Sequence, residues 1–303
     1  MNKKALVIPA KGIGDGLLMM IVSFHLQQAG YETTIVHPLL HELKSWFPRF
    51  HFVKKANHHL FDRIVVQNDN SDFMKELKNF RKKNKRKNLS FFYAGYSEKK
   101  HGPLDRQDAV FDLSLPMAEN IASSSSHLLR STFSKNNGIF PPKGLLKAKY
   151  PKRIAIHPIT EELKNWPIKN FISLGRRLRS LGYHISFVMS PKERENHLFL
   201  QEKGFDVPLL VNLSDLAAFL YESSYFIGLD SGPGHLASVL DIPSIIIASD
   251  RKQMKLWQPG WRKAEIVFPS KFLLNIKYLR LKPKLWKSFI SPNKVLKTFQ
   301  KIT

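Results

Sequence analysis

Cysteine is absent from all 303 residues. That excludes a disulfide scaffold, a thiol nucleophile and any Cys-ligated zinc or iron–sulfur centre. Long apolar runs are missing too. Stretches such as Leu17–Val22 fall far short of the about 20 residues that a bilayer-spanning helix needs. Near the start, Lys3 and Lys4 precede a short apolar run that ends at Pro9 and a Gly-rich turn. This is the pattern of a first strand and not of a signal peptide, so a cytoplasmic location is expected. Acidic residues are scarce: 24 Asp+Glu stand against 48 Lys+Arg, a formal charge of +24. What is present suffices for a folded core, since 43% of residues are hydrophobic and 12% aromatic, well above a disordered composition.

The charge is uneven. Lys78 to Asn88 holds seven basic residues in eleven, and no acidic residue occurs from Ile266 onward. Such a surface is drawn to phosphates on nucleic acid, anionic lipid or a phosphorylated substrate; it can equally be a solvated basic face.

Strand-like and helix-like segments alternate. Ala5–Ile8, Thr33–Val36, Arg63–Val66 and Leu89–Tyr93 read as strands, with a basic helix between the last two. Gly138–Lys152, rich in Pro and Lys, reads as a linker. The alternation restarts with strands at Arg153–His157, His184–Met189, Tyr225–Leu229 and Ser244–Ala248. Helices are expected over Asn170–Leu181, after a cap at Ser214, from near Gly232, and after Ser291-Pro292. The pattern predicts an α/β fold with mostly parallel sheets: two Rossmann-like domains facing a central cleft. The expected division is residues 1–145, residues 146–290, and a C-terminal helix over 291–303 that packs back on the first domain.

In such sheets ligands sit beyond the carboxyl ends of strands, and three places there carry chemistry. The first is Lys11-Gly12-Ile13-Gly14-Asp15-Gly16. It matches neither a Walker loop nor a dinucleotide fingerprint. Gly12 and Gly14 allow a tight backbone turn. Asp15 is either a helix N-cap or a cleft carboxylate that helix amides keep ionised and that accepts a proton from an attacking hydroxyl. The second runs from His157 to Trp166-Pro167 and places the Thr160 hydroxyl and the Lys164 ammonium four residues apart. These are groups that hold a diphosphate, although an ordinary strand–helix loop reads the same way. The third is Asp230-Ser231-Gly232-Pro233-Gly234-His235. Free amides of Ser231, Gly232 and their neighbours would form an anion site, His235 would add a donor, and Asp230 would orient a sugar hydroxyl.

Taken in order, these motifs resemble glycosyltransferase family 9, the bacterial heptosyltransferases of the lipopolysaccharide inner core. Trp257-Gln258-Pro259 extends the match, which runs from Gly12 to Pro259. The resemblance implies a GT-B fold and an inverting transfer that needs neither cofactor nor metal. It makes Asp15 the general base, Thr160 and Lys164 donor-phosphate contacts, and Asp230, Ser231, Gly232 and His235 the grip on the nucleotide sugar. ADP-heptose is the family's default donor. An anionic glycolipid is the implied acceptor, with peripheral contact at the inner leaflet of the inner membrane. The chain departs from the family in the acidic loop Ile159–Leu163 and in Ser249-Asp250-Arg251-Lys252-Gln253.

Two rival readings exist. A basic nucleic-acid-binding protein would explain the charge, but no recognition-helix signature or aromatic interleaving accompanies it, so no specific nucleic acid is expected. A non-catalytic member of the family would keep the fold, but Asp15, Lys164 and His235 are all in place.

Overall fold

The computed structural model describes residues 3–69, 71–84, 88–269 and 286–303. Lys85, Arg86 and Lys87 of the basic stretch, and residues 270–285 of the acid-free region, lie outside them. The chain divides into two compact units, Met1–Phe140 and Pro141–Thr303. The division falls inside the expected linker, five residues before the boundary read from the sequence.

The first unit is built on β1 (Lys3–Ile8), β2 (Tyr31–Val36), β3 (His51–Val53), β4 (Arg63–Gln67), β5 (Leu89–Tyr93) and β6 (Ala109–Val110). They form one sheet in the order β3-β2-β1-β4-β5-β6, and each pairing is parallel. Its helices are α1 (Ile13–Gln28), α2 (Asp72–Asn84), α3 (Glu98–His101) and α4 (Met117–Leu129). Every residue of β5 is buried, as expected for a strand of a parallel sheet covered on both faces. Gly16 to Ser23 of α1 are all buried as well; this helix packs against β1, β2 and α4. Strand order reverses between β1 and β4, so their carboxyl ends mark the switch point where ligands bind in such folds.

The second unit contains β7 (Tyr150–His157), β8 (His184–Phe187), β9 (Ser223–Leu229), β10 (Ser244–Ile247) and β11 (Glu265–Val267). Their order is β11-β10-β9-β7-β8, again with every pairing parallel. Here the switch point lies between β7 and β9. The helices are α5 (Ile168–Ser180), α6 (Pro191–Glu195), α7 (Phe199–Glu202), α8 (Leu213–Tyr221), α9 (Gly232–Val239), α10 (Arg251–Trp257) and α11 (Pro292–Phe299).

One expectation changes. The cap of α8 is Asn212, whose side chain accepts from the Asp215 amide; Ser214 lies inside the helix. The last helix, α11, is part of the second unit, where Val295 and Phe299 enter the core. The reason is aromatic packing, because the Phe299 ring lies 5.1 Å from that of Tyr183 and 5.0 Å from that of Tyr225. Among the described residues no helix is long and apolar enough to cross a membrane.

Candidate active site

In the first unit, β1 ends at Ile8 and the chain passes through Gly12, the N-cap of α1, into the helix. Asp15 therefore sits in the first turn and is not the cap. Gln67, the last residue of β4, donates its Nε2 hydrogen to Asp15 Oδ1 at 2.5 Å. Burial pushes the Asp15 carboxyl above its ordinary value, the Asp69 charge adds to this, and the bonds from Gln67 and the Asp15 amide oppose it. The backbone amide favours the ionised form as expected, but loss of water outweighs it. A carboxylate with a raised pKa is a stronger proton acceptor.

Neither Gly12 nor Gly14 has a positive φ, so backbone freedom is not what the loop requires of them; Gly12 is needed for space. A Cβ at Gly12 would stand 2.7 Å from Asp15 Oδ2, so any side chain there displaces the carboxylate.

In the second unit the loop after β7 and the loop after β9 are tied together. The Thr160 hydroxyl donates to the Asp230 carbonyl at 3.1 Å, and the Thr160 amide donates to Asn165 Oδ1 at 2.7 Å. Lys164 pairs with Glu161 at 3.3 Å. Burial raises the Asp230 carboxyl, against the pull of the Lys164 charge. Lys164 and Asp230 share the lining of a small pocket with Ala248, Ser249, Asp250 and Gln253.

Ser231 is the N-cap of α9, yet its hydroxyl donates back to the Leu229 carbonyl at 3.1 Å and caps no amide. The helix N-terminus from Gly232 is left without a side-chain cap, which is the arrangement that receives an anion. The Thr160 hydroxyl, expected as a donor to a diphosphate, instead spends its hydrogen on the Asp230 carbonyl just beyond β9. His235 is 5% exposed, and burial lowers its pKa to about 4. It is neutral at pH 7, so it brings no cationic charge. Its Nδ1 is buried without a protein partner, as is that of His157 at the end of β7.

Sequence reasoning missed the brace beneath this loop. Trp166 Nε1 donates to the Ile290 carbonyl at 3.0 Å, Trp286 Nε1 to the Leu163 carbonyl at 3.2 Å, and Lys287 Nζ to the Glu162 carbonyl at 3.0 Å. It also missed Gln67. The signal available was position, because Gln67 ends the strand next to β1 at the switch point. Among the described residues no group of three or more His, Cys, Asp or Glu side chains is placed to hold a metal ion.

Two units, each built on a parallel sheet with polar groups beyond its strand ends, match the GT-B fold of solved glycosyltransferases. E. coli ADP-heptose lipopolysaccharide heptosyltransferase II superposes with a TM-score of 0.71 at 17% identity, over 99% of this chain and 98% of that one. The family 9 glycosyltransferase of Veillonella parvula gives 0.67 at 17%, over 100% and 98%. E. coli heptosyltransferase WaaC with ADP gives 0.66 at 16%, over 99% and 100%. No curated protein matches the sequence significantly. The sequence model of glycosyltransferase family 9 (heptosyltransferase) matches residues 97–268, more than half of the chain. The chain belongs to that family. The matched span includes both loops of the second unit but not Asp15.

Proposed function

We propose that the protein transfers a sugar, heptose from ADP-heptose, onto an inner-core lipopolysaccharide acceptor, with inversion and without a metal ion. The observation that carries this reading is the uncapped N-terminus of α9 next to Asp230, whose carboxyl feels the Lys164 charge. That set suits a diphosphate bonded to a sugar. WaaC, similar in fold, holds ADP in one structure and ADP-2-deoxy-2-fluoro heptose in another.

In the proposed step an acceptor oxygen bonds to the anomeric carbon while the bond from that carbon to the diphosphate breaks. The electron pair leaves with ADP, and the acceptor proton passes to Asp15. Lys164 and the α9 amides stabilise charge on the departing diphosphate, the task a divalent cation performs elsewhere. The +24 charge favours an acceptor that carries phosphates and carboxylates, and an anionic leaflet of the cytoplasmic face.

Asp15→Asn tests the chemistry. It is expected to abolish turnover while ADP-heptose still raises the melting temperature as in the parent. Retained turnover would remove Asp15 as the base. A thermal-shift series with ADP-, UDP-, GDP- and CMP-sugars tests the donor, with the largest shift expected for the ADP-sugar. Activity in excess EDTA tests the metal-free route.

A further inference from the structure

The Asp15 carboxylate and the turn that carries it are held from the two strands that flank β1: the carboxylate from β4, the turn from the end of β2. On one side stands Gln67, 3% exposed at the end of β4. Its Oε1 accepts the Ala10 amide hydrogen at 3.2 Å, and its Nε2 donates to Asp15 Oδ1. The Ala10 amide can only donate, so it fixes which end of the Gln67 side chain carries oxygen. The other end, the NH₂, must then face the carboxylate. The orientation of the amide is set by the backbone of the very loop that leads to Asp15.

On the other side stands His37, 2% exposed just beyond β2. Its Nδ1 accepts the amide hydrogens of Leu39 and Leu40, both at 3.1 Å. Two donors on Nδ1 place the ring hydrogen on Nε2, which donates to the Gly12 carbonyl at 3.2 Å. Burial lowers the His37 pKa, so this neutral tautomer persists. The same Gly12 carbonyl accepts the Gly16 amide at 2.9 Å in the first turn of α1. A Cβ on Gly16 would come within 3.1 Å of His37 Nε2, so the ring is packed directly against that turn.

We propose that Gln67 is the positioning residue of the proton acceptor, aiming the Asp15 carboxylate through a donated amide hydrogen, and that His37 fixes the Gly12 turn on which Asp15 is carried. The inference rests on Asp15 being the base. It adds a residue outside the span matched by the family model, and one that no sequence motif of the chain contains.

The chemistry gives the direction of the test. A hydrogen bond to the charged form holds a carboxyl pKa down. Gln67→Leu removes that bond and adds an apolar neighbour; Gln67→Glu replaces it with a like charge. Both changes raise the pKa of Asp15. The other titratable neighbours are Asp69 on the loop after β4, which already raises it, the neutral His37, His41 beyond it, and Lys11 on the same loop. None is altered by these variants.

The experiment is a pH profile of kcat/KM with ADP-heptose for the wild type, Gln67→Leu and Gln67→Glu. It is paired with a ¹³C titration of the Asp15 carboxyl in the free protein. The acidic limb is expected to move upward by about one pH unit, a roughly tenfold extra loss at low pH on top of a smaller pH-independent fall in kcat from the mis-aimed carboxylate. The donor KM should change less than threefold, and the ¹³C midpoint should move with the limb. A loss of equal size at every pH, with an unmoved ¹³C midpoint, would overturn the proposal and leave Gln67 a structural residue. If a Gln67 variant fails to fold, His37→Gln supplies the second arm: kcat is expected to fall at least tenfold with the ¹³C midpoint unchanged, and an unaltered kcat would count against the role of His37. Should Asp15→Asn stay active, the base assignment itself fails, which is a separate outcome.

Discussion

His157 and His235 make the second unit sensitive to acid. Burial lowers both pKa values from 6.5 to about 4. Below pH 6.5 the unfolded chain binds protons that the folded one refuses, so stability falls as pH drops and the loss is complete near pH 4. A shift of this size is worth about 3 kcal/mol per histidine. Urea denaturation between pH 7.5 and 4 is expected to show the decline, and His157→Asn should reduce it. On the base assignment proposed above, Asp15 acts on catalysis in the same direction. Its raised carboxyl must be ionised to accept a proton, so activity rises with pH through a limb above the ordinary carboxylate range. Gly12→Ala tests the space around it. The added methyl collides with the carboxylate, and kcat should fall by more than tenfold while the melting temperature changes little. Lys164→Ala should weaken ADP binding about tenfold, the usual magnitude for a charge-assisted contact, measured by calorimetry.

Among the elements, those with strong local signals could be read directly. The apolar runs of β1, β4, β5, β7 and β9 announce buried parallel strands, and Ser291 caps α11 as expected, accepting from the Lys294 amide. β3 and β6 could not be read, because three and two residues carry no periodicity and exist only through pairing with a neighbour. Ser214 misled because Asn212, two residues earlier, has the same capping chemistry. The site divides in the same way. Asp15, Lys164 and Asp230 stand next to strands that are legible by themselves. Gln67 and His37 act through atoms far away in sequence, and the brace on the β7 loop comes from Trp286 and Ile290. That brace yields a prediction at this scale. Trp286→Ala empties a buried site and should cost about 3–5 kcal/mol. It also frees the Leu163 carbonyl, so ADP affinity should fall with it; equal affinity in the folded variant would separate the brace from donor binding.

For the whole molecule, the excess of 48 basic over 24 acidic residues governs encounter more than fold. Attraction to anionic surfaces decays over about 8 Å at physiological ionic strength. Flotation with vesicles containing phosphatidylglycerol is expected to carry the protein up at 50 mM salt and to release it at 500 mM. Neutral vesicles should not carry it at either concentration.

The brace has a consequence for how the enzyme matures during synthesis. The loop that bears Thr160 and Lys164 leaves the ribosome long before Trp286, Lys287 and Ile290. A nascent chain arrested before residue 286 already carries β7 to β11 but still lacks the pins beneath that loop, so the loop is braced only after Trp286, Lys287 and Ile290 have been made.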